Sequence, residues 1–406
     1  MPLDDLTDEA ERVLRICSAC MYCDGICAVF PAIAGRHAFS LSDLSYLANL
    51  CHNCRGCWYA CQYAPPHPFA VNLPKTLAQL RQRSYRDYAW PRALGRGFGA
   101  NGTVVASIIC AATALALAAA LLHVPKYVLF AVHRGEGAFY QVIPWRIMTA
   151  AAGCALLWSI VVMTVGTVAF WRAIARAFSG EVGTGSPPEN ATSQEQQSEF
   201  RFNRNGIRSS ASVRTTLRAL YPAMIDIVTL RNLGGGGPGC NGRDERFSRG
   251  RRWFHHILIA GFAASVMSTL IAALYHHAFA AQAPYPPTSL PVAAGTVGGV
   301  LVLIGVGGLA AIERRADRTP SAADEITLNV VFLVLLTVVA ASGLAVLAVR
   351  ETAAMGLVLT LHIGIVVGFF LVLPVSKAVH GLYRSAALLR AAIERASPRP
   401  RSGGGE

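Results

Sequence analysis

Eight cysteines stand in two runs of identical spacing. Cys17-Ser-Ala-Cys20-Met-Tyr-Cys23-Asp-Gly-Ile-Cys27 is the first, and Cys51-His-Asn-Cys54-Arg-Gly-Cys57-Trp-Tyr-Ala-Cys61 is the second. Both read C-x2-C-x2-C-x3-C, the spacing by which bacterial ferredoxins hold cubane [4Fe–4S] clusters. Three thiolates at two-residue intervals curl round one cubane and occupy three of its irons. The fourth cysteine points away and ligates the other cluster. The spacing rule therefore assigns Cys17, Cys20, Cys23 and Cys61 to one cluster, and Cys51, Cys54, Cys57 and Cys27 to the other. Zinc sites generally use two C-x2-C pairs set well apart, and disulfide frameworks belong to secreted chains. Neither describes four cysteines within eleven residues, repeated once.

Helical elements must position these runs. Ser40-Leu-Ser-Asp43 is a capping box ahead of an apolar run to Leu50, which predicts a helix between the two motifs. The ferredoxin pattern has Pro directly after the fourth cysteine. Here Pro31 and Pro65 come four residues later. That departure resembles the α-helical ferredoxins that wire flavoenzymes to membranes. Residues 1–68 are expected to form this domain. Residues 69–102, with a Pro-rich turn, a short basic helix and Tyr85, Tyr88 and Trp90, read as an interfacial connector.

The rest of the chain is of another kind. Of 406 residues, 53% are hydrophobic and 15% charged, a composition of integral membrane proteins. Six uncharged apolar stretches are long enough to cross a ~30 Å hydrocarbon core as helices. They are Thr103–Leu122, Ile147–Phe170, Ile257–Leu274, Val292–Ile312, Ile326–Val349 and Ala353–Val375. These give transmembrane helices 1–2 within 103–171 and helices 3–6 within 253–384. Gly295–Gly299 and Gly364–Gly368 are small-xxx-small pairs that permit close helix approach.

Basic residues set the expected orientation. The connection after the second span holds thirteen Arg between Arg172 and Arg252, the one after the fourth holds Arg314, Arg315 and Arg318, and the segment from Lys377 holds six Lys and Arg. The opposite connections hold Lys126, Arg134 and Arg146, then none, then Arg350. This bias places both termini and the cluster domain in the cytoplasm, in a bacterial inner membrane. The acidic, amphipathic residues 1–16 do not resemble a signal peptide. The net charge of +13 sits beside apolar spans, so it points to lipid headgroups and topology and not to nucleic acid. Residues 172–252 read as a basic, partly disordered linker, with a polar, Gly/Ser/Gln/Asn-rich core at 179–212. The Gly run at 234–239 lacks the Lys-Ser/Thr ending of a phosphate loop. Residues 385–406 are expected as a cytoplasmic tail.

Histidines are the second group of candidate ligands. His255 and His256 open the third span, His276 and His277 close it, and His362 and His380 lie in and just past the sixth. An imidazole in lipid is costly unless paired or coordinating. His362 and His380 are 18 residues apart, five helical turns, so on one continuous helix they share a face. On the third span, steps of 21 or 22 residues also share a face, whereas His256 to His276 does not. Two helices each offering one histidine per leaflet is the layout of a bis-His haem b bundle holding one or two haems. His255, His276, His362 and His380 are the chosen ligands, with His256 and His277 as alternates. The chain thus reads as an all-α membrane protein: an N-terminal α-helical ferredoxin-like domain and a six-helix, haem b-type bundle. His123 and His133, around Pro125, are assigned to a loop. Cys110, Cys154 and Cys240 show no pairing logic.

Several stretches resemble the tricarballylate/citrate-utilization protein B family. They are the doubled cysteine motif, Leu233–Asn241, Arg251-Arg-Trp-Phe-His-His256, Ser268-Thr-Leu, Tyr275-His-His277, Ala283-Pro-Tyr285, Met355 to His362 and Pro374 to Tyr383. The resemblance implies a membrane subunit that reoxidises an FAD-dependent flavoprotein dehydrogenase of the tricarballylate/citrate type. It would pass electrons through Fe–S clusters and haem to the quinone pool. Substrate chemistry would then belong to the partner's flavin, since no acid–base or nucleophile constellation is visible here. A membrane redox sensor or assembly factor is the competing class. The electron-transfer half of a corrin-biosynthesis oxygenase is a third.

Overall fold

The computed structural model describes residues 3–34, 36, 38–179, 213–234, 240–241 and 246–397. The linker core at 180–212, the glycines at 235–239 and the last nine residues lie outside the described residues. The all-α expectation holds: the one sheet among the described residues is a two-residue ladder, Cys240–Asn241 (β1) against Phe247–Ser248 (β2).

The N-terminal domain is assembled from α1 (Leu3–Cys20), α2 (Val29–Ala34), α3 (Leu41–Leu50), α4 (Gly56–Tyr59) and α5 (Leu73–Asp87). The capping box ahead of α3 is present, with Ser40 Oγ accepting from the Asp43 amide at 3.2 Å. The 1–68 boundary needs correcting. Helix α5, expected in the 69–102 connector, buries Leu73, Leu77, Leu80 and Tyr85 in the same core as Val13, Phe30, Leu44 and Leu47. Its heptad-like apolar face, not its basic residues, decides where it packs.

Six helices are long and apolar enough to cross a membrane. They are α6 (Asn101–His123), α9 (Trp145–Ser179), α11 (Gly250–Phe279), α12 (Leu290–Arg315), α13 (Ala323–Val349) and α14 (Met355–Val372). The connection from α6 to α9 folds as two short helices, α7 (Lys126–Leu129) and α8 (Ala138–Val142). There His133 is satisfied by Gln141 and by the Val128 carbonyl, both at 2.7 Å, a structural role in keeping with the loop assignment. Helices α6, α9, α13 and α14 form a cluster, whereas α11 packs almost entirely against α12. That hairpin closes on glycine. A Cβ at Gly261 would lie 2.6 Å from the Val302 amide nitrogen, and one at Gly298 would lie 2.5 Å from Ser265 Oγ. In lipid such close backbone approach replaces the hydrophobic drive that helices lack there.

Two expectations about the C-terminal end change. The sixth span does not continue as one helix to His380. It breaks into a 3-10 turn at Leu373–Val375, where Pro374 has no N–H for the helical ladder. A new helix, α15 (Val379–Ala396), then begins. The shared-face argument for His362 and His380 therefore fails. Moreover, the expected tail at 385–406 begins with packed helix. Tyr383, Ala387, Leu388 and Ala391 belong to the cluster-domain core. Glu394 accepts from Arg36 at 2.6 Å and from Tyr46 at 3.0 Å. Arg36 and Arg390 lie over the Tyr46 ring at 4.9 and 4.5 Å. On its other side α15 buries Ala392 and Ile393 against α10 (Val213–Val228).

Candidate functional site

Each motif is bent by residues in unusual backbone conformations. Met21 and Gly25 take positive φ in the first run, and Asn53 and Arg55 in the second. Non-glycine residues in that region concentrate at functional sites, and here they turn consecutive thiols to one side. The outcome is two cavities. One is lined by Cys17, Cys20, Cys23 and Cys61. The other is lined by Cys27, Cys51, Cys54 and Cys57. Each cavity thus takes three cysteines from one motif and the fourth from the other.

Among the described residues, no three His, Cys, Asp or Glu side chains converge closely enough to hold a single ion. The thiols instead ring spaces of about 320 and 340 Å³, counting the part open to solvent. Four thiols round one space are the soft donor set that suits an iron–sulfur centre. Burial, then the neighbouring cysteines, push the Cys17 thiol up to about 12 and the Cys23 thiol up to about 11. In the second cavity burial and then Cys240 push Cys54 up to about 12, while Cys27 and Cys57 are raised as well. Bare thiols there stay protonated, and binding a metal group releases the protons. Donors already face the sulfurs: the Asn53 amide is 3.4 Å from Cys51 Sγ, and Gln62 Nε2 is 3.7 Å from Cys20 Sγ.

The second cavity abuts the membrane helices. Arg81 Nη1 donates to Glu325 Oε1 at 2.6 Å, Lys377 Nζ to the same oxygen at 3.1 Å and Asn53 Nδ2 to Glu325 Oε2 at 3.2 Å. Arg55 donates to the Asp317 carbonyl and to Ser321 Oγ, both at 2.8 Å. Arg384 donates to the Cys51 carbonyl at 2.7 Å. His52 lines the cavity, and its imidazole is held neutral by burial and by Arg384. None of these long-range partners has a local signature in the sequence. Cys240 is a further residue that spacing could not find. It is buried beside Cys54, with its thiol 3.2 Å from the Leu233 carbonyl oxygen.

The chosen histidines separate into two ends. At the cluster-side end, His380 is near enough to interact electrostatically with His255 and with His52. His380 Nδ1 lies 2.6 Å from the Lys377 carbonyl oxygen. A donated Nδ1–H there would leave Nε2 free, the usual orientation of a metal-ligating histidine. His255 Nδ1 is buried without a hydrogen-bond partner among the described residues, whereas His256 Nδ1 is 2.9 Å from the Arg252 carbonyl. At the far end the two candidates have separate neighbours. His276 stacks on Trp145 at 4.5 Å, with His277 edge-on at 5.3 Å. His362 Nδ1 is 2.9 Å from Ser342 Oγ, and Gly343 leaves its ring room, since a Cβ there would lie 3.1 Å from Cε1.

Fold and motifs define a class: a helical, multi-pass membrane protein joined to an N-terminal ferredoxin-like domain. The comparisons with known proteins narrow it. A family model described as "Citrate utilization protein B" matches residues 100–401, and its "Fer4-like domain" model matches residues 10–87. The chain is 35% identical over 393 residues to "Citrate utilization protein B" of Escherichia coli, covering 95% of this chain and 92% of that protein. No solved structure matches. The chain belongs to the citrate utilization protein B family.

Proposed function

We propose that this protein is the membrane electron-transfer partner of an FAD-dependent dehydrogenase acting on citrate- or tricarballylate-type substrates, and that it delivers electrons to quinone. The observation that carries the reading is the pair of four-cysteine cavities with exchanged fourth ligands, the second of them abutting the membrane helices. Two [4Fe–4S] clusters would supply one-electron carriers there. The cysteines hold them, and Gln62 and the Asn53 amide donate toward their sulfurs. His255 and His380 hold a haem b at the cluster-side end, with His52 between that end and the second cavity. His276 and His362 are the ligands proposed for a second haem at the far end. The helices sit in the bacterial inner membrane with the cluster domain in the cytoplasm, where a soluble flavoprotein reaches it.

The test is anaerobic purification of the full chain, with iron, sulfide and haem quantified per polypeptide. About eight non-haem irons are expected, with at least one low-spin haem. Tightly bound zinc in place of iron would end the reading.

A further inference from the structure

The two cysteine cavities share ligand type and spacing but not charge. Near the first, Arg12 and Arg15 are exposed and paired with Glu9 and Glu11 at 2.7 and 2.5 Å. The charged groups that act on Cys17 and Cys23 are other cysteines. Cations crowd the second. Arg81 Nε donates to the Ala48 carbonyl at 2.8 Å, and Arg384 Nε and Nη2 donate to the Asn49 and Cys51 carbonyls at 3.3 and 2.7 Å. Arg251 Nη1 reaches the Asn53 carbonyl at 3.4 Å, and Arg55 stands within the motif.

Three carboxylates answer them. Glu325 pairs with Arg81 and Lys377, Glu313 lies 3.7 Å from Arg251, and Asp317 interacts with Arg55. Five cations against three carboxylates leave a positive surplus beside the cavity, with Arg55 in its lining. Arg384 carries much of it. Its hydrogen bonds go to the carbonyls of Cys51 and of Asn49 two residues before it, and no carboxylate lies within ion-pair distance of it among the described residues.

A cation fixed beside a site of low dielectric stabilises whichever redox state carries more negative charge. We propose that Arg384, supported by Arg251 and Arg55, raises the reduction potential of the Cys27/Cys51/Cys54/Cys57 site above that of the Cys17/Cys20/Cys23/Cys61 site. Arg384 is thus a positioning residue for electron flow. It makes the first site the point of admission and draws electrons inward. Each step moves one electron from the reduced first site to the oxidised second, with no bond broken and no proton moved. The reductant is the reduced flavin of a dehydrogenase and the final oxidant is a membrane quinone. The inference rests on the preceding assignment of a cluster to each cavity.

A potentiometric titration of the purified full chain, followed by electron paramagnetic resonance, tests it. Two reduced-cluster signals with different midpoints are expected, the higher one being lost in Cys54→Ser. Arg384→Gln should keep both signals and lower the higher midpoint by about 59 mV, a tenfold fall in the equilibrium constant of the step. Arg384→Lys should restore most of it, and Arg12→Gln should move neither signal. Loss of the lower-potential signal in Cys54→Ser would overturn the proposal. So would an unmoved midpoint in Arg384→Gln, or an equal shift of both signals. If Arg384→Gln does not accumulate, Arg251→Gln should show a smaller shift of the same sign, and no shift there overturns the proposal equally. A wild-type chain with no iron–sulfur signal would instead overturn the cluster assignment, and this inference with it.

Discussion

The same eleven-residue spacing is set in two unlike places. The first cavity opens at a rim where Tyr22 and Phe69 are 70% and 48% exposed, and its nearby ions are paired along one helix surface. At the second, side chains of the N-terminal domain reach across to the membrane helices, with Arg55 bonded to Asp317 and Ser321 in the turn between two of them and Arg81 and Asn53 bonded to Glu325. Spacing decides what can be bound. The long-range surroundings differ: the second site alone is bonded to residues at the end of the membrane helices.

The largest expected effect removes one site at a time. Cys20→Ser and Cys54→Ser should each lose about four of about eight irons, measured by iron and sulfide assay. A single variant that emptied both cavities would show that the two are one cooperative unit. Next comes the exit side. His380→Ala should abolish the low-spin spectrum of a cluster-side haem while both iron–sulfur signals persist. An unchanged spectrum in amplitude and potential would remove His380 from the ligands. His362→Ala tests the far end the same way.

A stability contrast sharpens the comparison further. Glu325→Gln leaves Arg81 and Lys377 without their carboxylate in a buried setting and should cost about 3–5 kcal/mol. Glu9→Gln, at the exposed pair beside the first cavity, should cost within about 1 kcal/mol. Thermal unfolding in detergent checks both, and equal losses would contradict the idea that only the second site is structurally tied to the membrane helices. The smallest effect should come from Gln62→Ala. It deletes one long donor contact to Cys20 Sγ and should lower the first midpoint by less than a tenfold change in equilibrium constant, leaving the second untouched.

Sequence alone grouped the eight cysteines as the two cavities do, because the short spacing of each motif constrains thiols that are close in the chain. It reached the six spans for a similar reason: bilayer thickness imposes a length that can be counted along the chain. It did not reach Arg384 or Cys240 as neighbours of the second cavity, since their meeting depends on how α15 and the β1–β2 ladder return to the N-terminal domain. It also misread the stretch from His362 to His380. Apolar composition runs on past Phe370, but Pro374 breaks the hydrogen-bond ladder, and helical phase carries nothing across that break. The α5 boundary slipped because basic residues on its outer face hid an apolar face that belongs to the cluster core.

The link from Glu394 to Arg36 and Tyr46 bears on how the molecule is made. Its ends lie 358 residues apart, with all six spans between them. At roughly 5–20 residues per second, translation takes roughly 20–70 s to go from Arg36 to Glu394. The domain that emerges first from the ribosome therefore lacks part of its core until the chain is almost finished. A polypeptide cut short before Val379 would be left without the helix that completes that core. Completion of the N-terminal domain thus reports that the whole chain has been synthesised.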